Sequence, residues 1–347
     1  MNVLGIETSC DETAAAVVSE GRVVLSNIVF SQIHLHRPYG GVVPEVASRN
    51  HLASLEDVVA RAVRQSGLGW AGLEALAVTY GPGLASSLLV GLSLAQALAL
   101  RLCIPLIGIN HLEAHIYSPL LTTLEQAWPD LCPMIALVAS GGHTSLIHVA
   151  APGKYRPLGW TLDDAAGEAF DKGAKLLGLD YPGGPSIDRL SQAGDPQYIS
   201  FPRGRVRSST ASDLCFSFSG LKTALLYYLR AQATPPTADA LAHIAASYQE
   251  AIVDALLDRL QLAVTRERVA HVAVVGGVAL NSRLRQKLEC LARAEGLKLL
   301  LPRPEYCSDN AAMIAGLAGS GQGITGPRAW TLDVQPNLEI GETQLCS

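Results

Sequence analysis

The sequence has little charge and few rings: Lys, Arg, Asp and Glu make up 16% of its 347 residues and Phe, Trp and Tyr 5%. An ordinary soluble domain carries roughly 25% charge. With 49% hydrophobic residues, the core is expected to be filled by Ala, Val, Leu and Ile. Disorder and a fibrous chain are excluded, since ample apolar surface is available to offset chain entropy. Basic residues are not in excess either. The net charge of −5 excludes a protein that grips nucleic acid by overall charge, so such a partner requires a local basic patch. No C-x-x-C pair occurs among the seven cysteines, Cys10, Cys103, Cys132, Cys215, Cys290, Cys307 and Cys346. Scattered and odd in number, they read as reduced thiols of a cytoplasmic protein. Asp11 and Glu12 interrupt the N-terminus before an apolar signal core can form, so no secretory or organellar leader is expected.

Charge is missing altogether between Glu74 and Arg101, a stretch long enough to span a bilayer. Gly81-Pro82-Gly83 breaks it, and Ser86, Ser87, Ser93 and Gln96 punctuate the part from Leu84 to Leu100. We read a buried core helix and no membrane association.

What is present is a device used twice. Val3 to Ile6, a polar tip at Thr8 to Thr13, and Ala14 to Val18 read as strand, turn, strand, and Met134 to Val138, Ser140 to Ser145, and Leu146 to Val149 repeat it. A strand, glycine turn and helix also recur, first around Gly81-Pro82-Gly83 and then around Gly276-Gly277 with a helix from about Asn281. Such turns suit phosphate contact at a helix N-terminus. Ser9 and Gly81 stand 72 residues apart, Gly141 and Gly276 135, so the second half is expected to carry an insertion of roughly sixty residues within a duplicated architecture. The expected fold is α/β, an actin-like (ASKHA) duplicated two-lobe fold with an interlobe nucleotide cleft. Residues 1–115 form the first lobe, 116–325 the second with its insertion at about 150–240, and 326–347 a tail.

His111 and His115 share one helical face if the segment is helical, a spacing that suits two imidazole ligands to a divalent metal. Glu113 between them points away, so the metalloprotease arrangement fails. Asp309 is the best third ligand, with Cys307 as a competitor, although an Asp ahead of the Ala311–Ala318 helix is also a natural N-cap. Asp163, Asp164 and Glu168 open an acidic helix start, and Leu179 to Pro185 reads as a rigid turn. Gly184 there could let the backbone approach a ribose whose hydroxyls Asp171 and Asp188 could accept. Arg203, Arg205 and Arg207, with Lys222 following, are candidate RNA-backbone contacts, and Arg283, Arg285 and Lys287 form a second basic run. Solvated surface is the alternative reading of both.

Eight segments occur in an order that carries a resemblance: Gly5 to Thr13, Tyr39 to Glu45, His111-x-Glu113-x-His115, Ser140 to Thr144, Asp163 to Asp171, Tyr181 to Pro185, Phe216 to Lys222, and Cys307 to Asn310. From Met1 to about Gly316 the chain resembles the tRNA adenosine threonylcarbamoyltransferases, the TsaD family. The resemblance implies transfer of a threonylcarbamoyl group from threonylcarbamoyl-AMP to the exocyclic amine of the adenosine 3′ of the anticodon, in tRNAs reading codons that begin with adenine. It implies one iron or zinc ion on His111, His115 and Asp309. It also implies a donor site, open to ATP or ADP as well, formed by Val138, Ala139, Ser140, Gly141, Gly142, Asp171, Gly184, Asp188 and Asn281. Expected partners are tRNA, a TsaB-like paralogue, a TsaE-like ATPase and a separate synthase for the adenylate. On this reading Asp11 or Glu12 orients the adenine amine or accepts its proton. Two other classes stand beside it: a small-molecule kinase of the same superfold, and a non-catalytic nucleotide-dependent interaction protein.

Overall fold

Alternation along the first strand sets the architecture. In the computed structural model, which describes residues 1–121, 126–204 and 213–341, β1 (Asn2–Glu7), β2 (Glu12–Ser19) and β3 (Val23–Ser31) form an antiparallel meander. After α1 (Ile33–His36) and α2 (Pro44–Gln65), the strands β4 (Ala75–Gly81) and β5 (Leu106–Asn110) add in parallel beside β1, flanking α3 (Ala85–Leu102). The sheet order is β3-β2-β1-β4-β5. Helix α4 (His111–Tyr117) leaves the end of β5 directly.

The second sheet repeats this plan. Strands β6 (Met134–Ala139), β7 (Thr144–Ala151) and β8 (Lys154–Trp160) are followed by α5 (Ala166–Leu176), α6 (Gly183–Ser191), α7 (Ser219–Arg230) and α8 (Ala238–Glu267). Then come β9 (His271–Val275), α9 (Ser282–Glu295) and β10 (Lys298–Leu300). Its order, β10-β9-β6-β7-β8, read from the β8 edge, is the first sheet's order element for element. The duplication is therefore in the strand topology. Lys154 to Trp160, which composition placed inside the insertion, is the third strand of the repeat. Pro157 and an exposed face are compatible with its edge position. The additional elements are α5, α6 and α7, ahead of the 30-residue α8.

The chain divides into a first unit, Met1–Cys132, Ala151–Tyr155 and the described part of Pro302–Ser347, and a second, Pro133–Ala150 and Arg156–Leu301. Residues 302–325, expected in the second lobe from chain order, thus pack in the first unit with α10 (Ala311–Gly319) and α11 (Pro327–Trp330). The physical reason lies on the sheet. Leu4, Ile6, Ala15, Val17, Leu76 and Val78 face the core under α2 and α3. The alternate residues, Gly5, Ala14, Ala16, Ala75 and Ala77, leave the opposite face flat, and the Ala- and Gly-rich α10 lies on it. A Cβ at Gly5 would stand 2.5 Å from the Ala311 carbonyl oxygen and 2.8 Å from the Ala315 nitrogen. The expected tail is tied in over its described residues, since Gln335 N–H donates to the Tyr80 carbonyl and Leu338 and Ile340 are buried.

Helix α3 passes a length-and-composition test for a membrane span, but it has a defined inner face. Leu92, Ala95 and Ala99 enter the α2–sheet core, and Gly91 packs on Thr8, whose hydroxyl donates to the Ser87 carbonyl at 2.9 Å. Leu89 and Leu100 are exposed.

The fit of α10 against Gly5 yields a direct test. Gly5→Ala is expected to lower unfolding stability by about 1–3 kcal/mol, the usual cost of overpacking, as read from denaturant melts. Because α10 carries the turn that presents Asp309, the same variant is expected to bind a divalent metal more weakly.

Candidate active site

Helix α4 begins where it does because Asn110 caps it, its Oδ1 accepting from Leu112 N–H at 2.9 Å and Glu113 N–H at 3.3 Å. One turn apart, His111 and His115 project together, with ring centroids 4.6 Å apart. Asp309 Oδ1 lies 3.1 Å from His115 Nε2 and 3.5 Å from His111 Nε2. Asp309 is not the helix cap. That role belongs to Asn310, whose side chain accepts from Met313 N–H and donates to the Tyr306 and Ser308 carbonyls, freezing the turn. Cys307 is buried with its thiol toward the Pro302 and Arg303 carbonyls, outside the His111–His115–Asp309 cluster. Glu113 faces elsewhere, accepting from Gly341 N–H.

These three residues fit a divalent ion. The cluster's ligand atoms all lie within 4.8 Å of one another, and ligands bonded at about 2.0–2.2 Å stand about 2.8–3.6 Å apart across octahedral and tetrahedral arrangements, against the 3.1 and 3.5 Å found. Two imidazoles and a carboxylate suit iron or zinc and leave positions for substrate oxygens.

Sequence reasoning missed the residue that governs this site. Glu7, fully buried at the end of β1, accepts from Ser9 N–H and from the Thr79 hydroxyl, each at 2.5 Å, and its Oε2 stands 3.0 Å from His111 Nδ1. A carboxylate behind a ligating imidazole fixes its tautomer and presents Nε2 to the metal. The one available signal was a Glu in an otherwise apolar strand. Burial disfavours charge on His111, but Glu7 and Asp309 outweigh it and hold the imidazole's pKa up to about 10. Burial also works against charge on Asp309, yet His111 and then His115 hold its carboxyl well below the usual range. His115 is shifted down, chiefly by burial, and its Nδ1 has no partner among the described residues. The support is therefore asymmetric. Without metal, a proton on His111 offsets the buried Glu7 and the half-buried Asp309 carboxylates.

The tip between β1 and β2 belongs to the same unit. Asp11 is nearly buried. Burial first, and then the charges of Asp11 and Asp309, push the Glu12 carboxyl well above its ordinary value, while the Ser31 hydroxyl donates to it at 3.3 Å. A carboxyl so shifted is suited to proton transfer near neutrality. The Cys10 thiol is held up, mainly by burial, which suits a packing residue and not a nucleophile.

The expected adenylate residues lie in the second unit. Val138 and Ala139 end β6 with buried side chains, so only their backbone can serve a ligand. Ser140 N–H donates to the His143 carbonyl, and Gly141 and Gly142 face open space. Asp171 accepts from Gly183 N–H at 2.7 Å, beside Gly184. Asp188 accepts from Ser282 N–H and its hydroxyl, while Asn281 caps α9 and donates to Gln249. The expected rigid turn is in fact a helix from Gly183 onward. Among the acidic starts, Asp163 accepts from the Ser217 and Ser219 hydroxyls and from Phe218 and Ser219 N–H, holding the start of α7. Asp164 and Glu168 pair with Lys172.

The basic candidates differ in availability. Arg203 is paired with Asp254 at 2.9 Å, and Arg205 and Arg207 lie outside the described residues. Lys222 is half-buried in the first turn of α7. The second run is engaged within the fold: Arg283 and Lys287 bind Glu250, Lys287 also binds Asp254, and Arg285 donates to the Ala279 carbonyl.

Among solved structures, HypF from T. kodakarensis superposes with a TM-score of 0.59 at 16% identity, covering 92% of this chain and 47% of that one. Component A of (R)-2-hydroxyglutaryl-CoA dehydratase from Acidaminococcus fermentans gives 0.51 at 15%, covering 93% and 100%. Fold and site thus define an actin-like (ASKHA) α/β protein that carries a candidate His₂Asp metal centre. The model of the TsaD family, tRNA N6-adenosine threonylcarbamoyltransferase, matches residues 23–316, and the chain belongs to that family. It is similar to the protein of that description from Anaeromyxobacter dehalogenans (strain 2CP-C), 53% identical over 328 residues, 94% of this chain and 96% of the relative. The Salinibacter ruber protein is 51% identical over 346 residues, 98% and 100%.

Metal binding has to displace the His111 proton, so apparent affinity is expected to rise about tenfold per pH unit between pH 7 and 9. Fluorescence or calorimetric titration of the metal-free chain reads this slope. Glu7→Gln is expected to weaken the metal about tenfold to a hundredfold and to flatten the slope, because the proton is then held less firmly.

Proposed function

We propose that the chain transfers the threonylcarbamoyl group of threonylcarbamoyl-AMP to N6 of the adenosine immediately 3′ of the anticodon, in tRNAs reading codons that begin with adenine. The carrying observation is family membership over residues 23–316 together with the His111–His115–Asp309 cluster beside the Asp11–Glu12 tip. The amine nitrogen bonds to the carbamoyl carbon, the bond from that carbon to the phosphate oxygen breaks, and AMP leaves. A divalent ion on His111, His115 and Asp309, iron or zinc, supplies Lewis-acid polarisation of the donor's oxygens when bound. Glu7 holds His111 in the ligating tautomer. Asp11 or Glu12 takes the amine proton. Backbone N–H groups of the Ser140-Gly141-Gly142 turn receive the adenylate phosphate, as a glycine turn does, and Val138, Ala139, Asp171, Gly184, Asp188 and Asn281 complete the adenylate site. ATP or ADP would occupy the same site.

Recognition of tRNA is assigned to Arg203, Arg205, Arg207 and Lys222, with Arg203 needing to release Asp254. A TsaB-like subunit, a TsaE-like ATPase and a synthase that makes the adenylate are the proposed partners, and the cytoplasm the proposed location. The kinase and interaction-protein readings are not favoured by the relatives' shared description.

The test is reconstitution with threonylcarbamoyl-AMP, unmodified tRNA and the partner proteins, followed by nucleoside analysis. Modified adenosine is expected, and its absence would overturn the reading. A His111→Ala/His115→Ala variant is expected to lose both metal and transfer. Whichever of Asp11→Ala and Glu12→Ala removes the proton acceptor is expected to slow transfer about a hundredfold or more, in the range of general acid–base contributions, with metal content retained.

A further inference from the structure

We propose that His51 is a positioning residue for this reaction, holding Asp11 and Glu12 in place through the main chain of the tip. The proposal rests on the reading of that tip as the acid/base element. His51 is fully buried on α2, and its Nε2 lies 2.9 Å from the Cys10 carbonyl oxygen. A carbonyl only accepts, so Nε2 carries the proton. In the neutral ring Nδ1 is then an acceptor, and the Thr13 hydroxyl stands 2.7 Å from it, where it donates. The ring is thereby tied to residue 10 by the backbone and to residue 13 by the side chain. Asp11 and Glu12 are the two residues between these anchors.

Gln32 completes the arrangement. Its backbone N–H donates to the Asp11 carbonyl at 3.3 Å, and its side-chain amide donates to the Ala47 carbonyl and lies 3.4 Å from His51 Nδ1. Every carbonyl from residue 10 to residue 11 is therefore held from α2 or from the end of β3. Burial lowers the His51 pKa, ahead of the opposing Cys10 carbonyl, Glu7 and Asp11, with His36 adding to the lowering. The ring stays neutral and the pattern of one donor and one acceptor is preserved. This differs from the packing expected of a helix residue that serves only the core, because each ring nitrogen has its shortest contact with the tip, Nε2 at Cys10 and Nδ1 at Thr13.

A shift of about 1 Å in a reacting group costs about a hundredfold in rate. His51→Leu is accordingly expected to lower kcat for transfer about tenfold to a hundredfold. KM for tRNA should stay within about twofold and metal stoichiometry should be unchanged. His51→Gln, whose amide can donate to the Cys10 carbonyl and accept from Thr13, is expected to recover most of that loss. Thr13→Val removes the Nδ1 partner at nearly constant volume, so if His51→Leu does not fold, a fall in kcat without a change in KM in this variant carries the same test. Unchanged kcat in His51→Leu, alongside an inactive Asp11→Ala, would overturn the positioning role and leave the tip reading intact. Full transfer by both Asp11→Ala and Glu12→Ala would overturn the tip reading beneath it. A general loss of metal, tRNA affinity and melting temperature, with no rescue by Gln, would also overturn the proposal in favour of a structural role.

Discussion

The close approach of α10 to the flat face of the first sheet is the contact on which the rest of the first unit depends. Gly5 has no Cβ where Ala311 and Ala315 come closest, and the alternate sheet positions are alanines. A helix built of Ala and Gly can therefore lie almost backbone to backbone on the strands. Gly21 and Gly319 meet at the other end of the same helix, and Gly316 packs on Tyr117 of α4. That last contact joins α10 to the helix that bears both histidines. Asp309, at the turn that opens α10, is thus delivered to His111 and His115 by packing of small residues, and the scarcity of aromatics is the composition this geometry requires.

Charge is used sparingly, and where it is buried it is balanced. Glu7, Asp309 and Glu12 are carboxyls in a region with little water, and burial alone disfavours charge on all three. Glu7 and Asp309 are nevertheless held ionised by His111, a cation in the metal-free chain, while Glu12 has no such partner and is pushed toward its protonated form. Neighbouring carboxyls are thereby driven in opposite directions by their surroundings, two toward the anion beside His111 and one toward its protonated form. A divalent ion substitutes for the His111 proton without leaving either support uncompensated.

Much of the fold was legible along the chain. The two hairpins, the glycine turns after β4 and β9, and the helices following them are local patterns, set by alternation and by turn residues within a few positions of one another. The same holds for the His111–His115 spacing on α4. Less legible was the extent of the insertion, because Lys154 to Trp160 has the Pro, Arg and Lys content of a loop and becomes a strand only beside β7. The helix starting at Gly183 was hidden for a similar reason. Its two glycines and Pro185 read as a turn, yet Pro at an early helical position loses no hydrogen bond.

The sequence by itself determined the duplicated strand pattern, the small-residue core, the paired histidines and the acidic tip, since each is a property of residues close together in the chain. Tertiary structure decided that residues 302–341 pack with the first sheet, that Asp309 is a neighbour of His111 and His115 while Asn310 is the cap, and that Glu7 stands behind His111. It also decided that Arg203, Arg283 and Lys287 are partnered by acidic residues, and that His51 holds the tip. These are distances between side chains up to about two hundred residues apart, as from His115 to Asp309. They follow from which helix a flat sheet face can accept and which charges a buried site can balance, and neither condition is expressed in local periodicity.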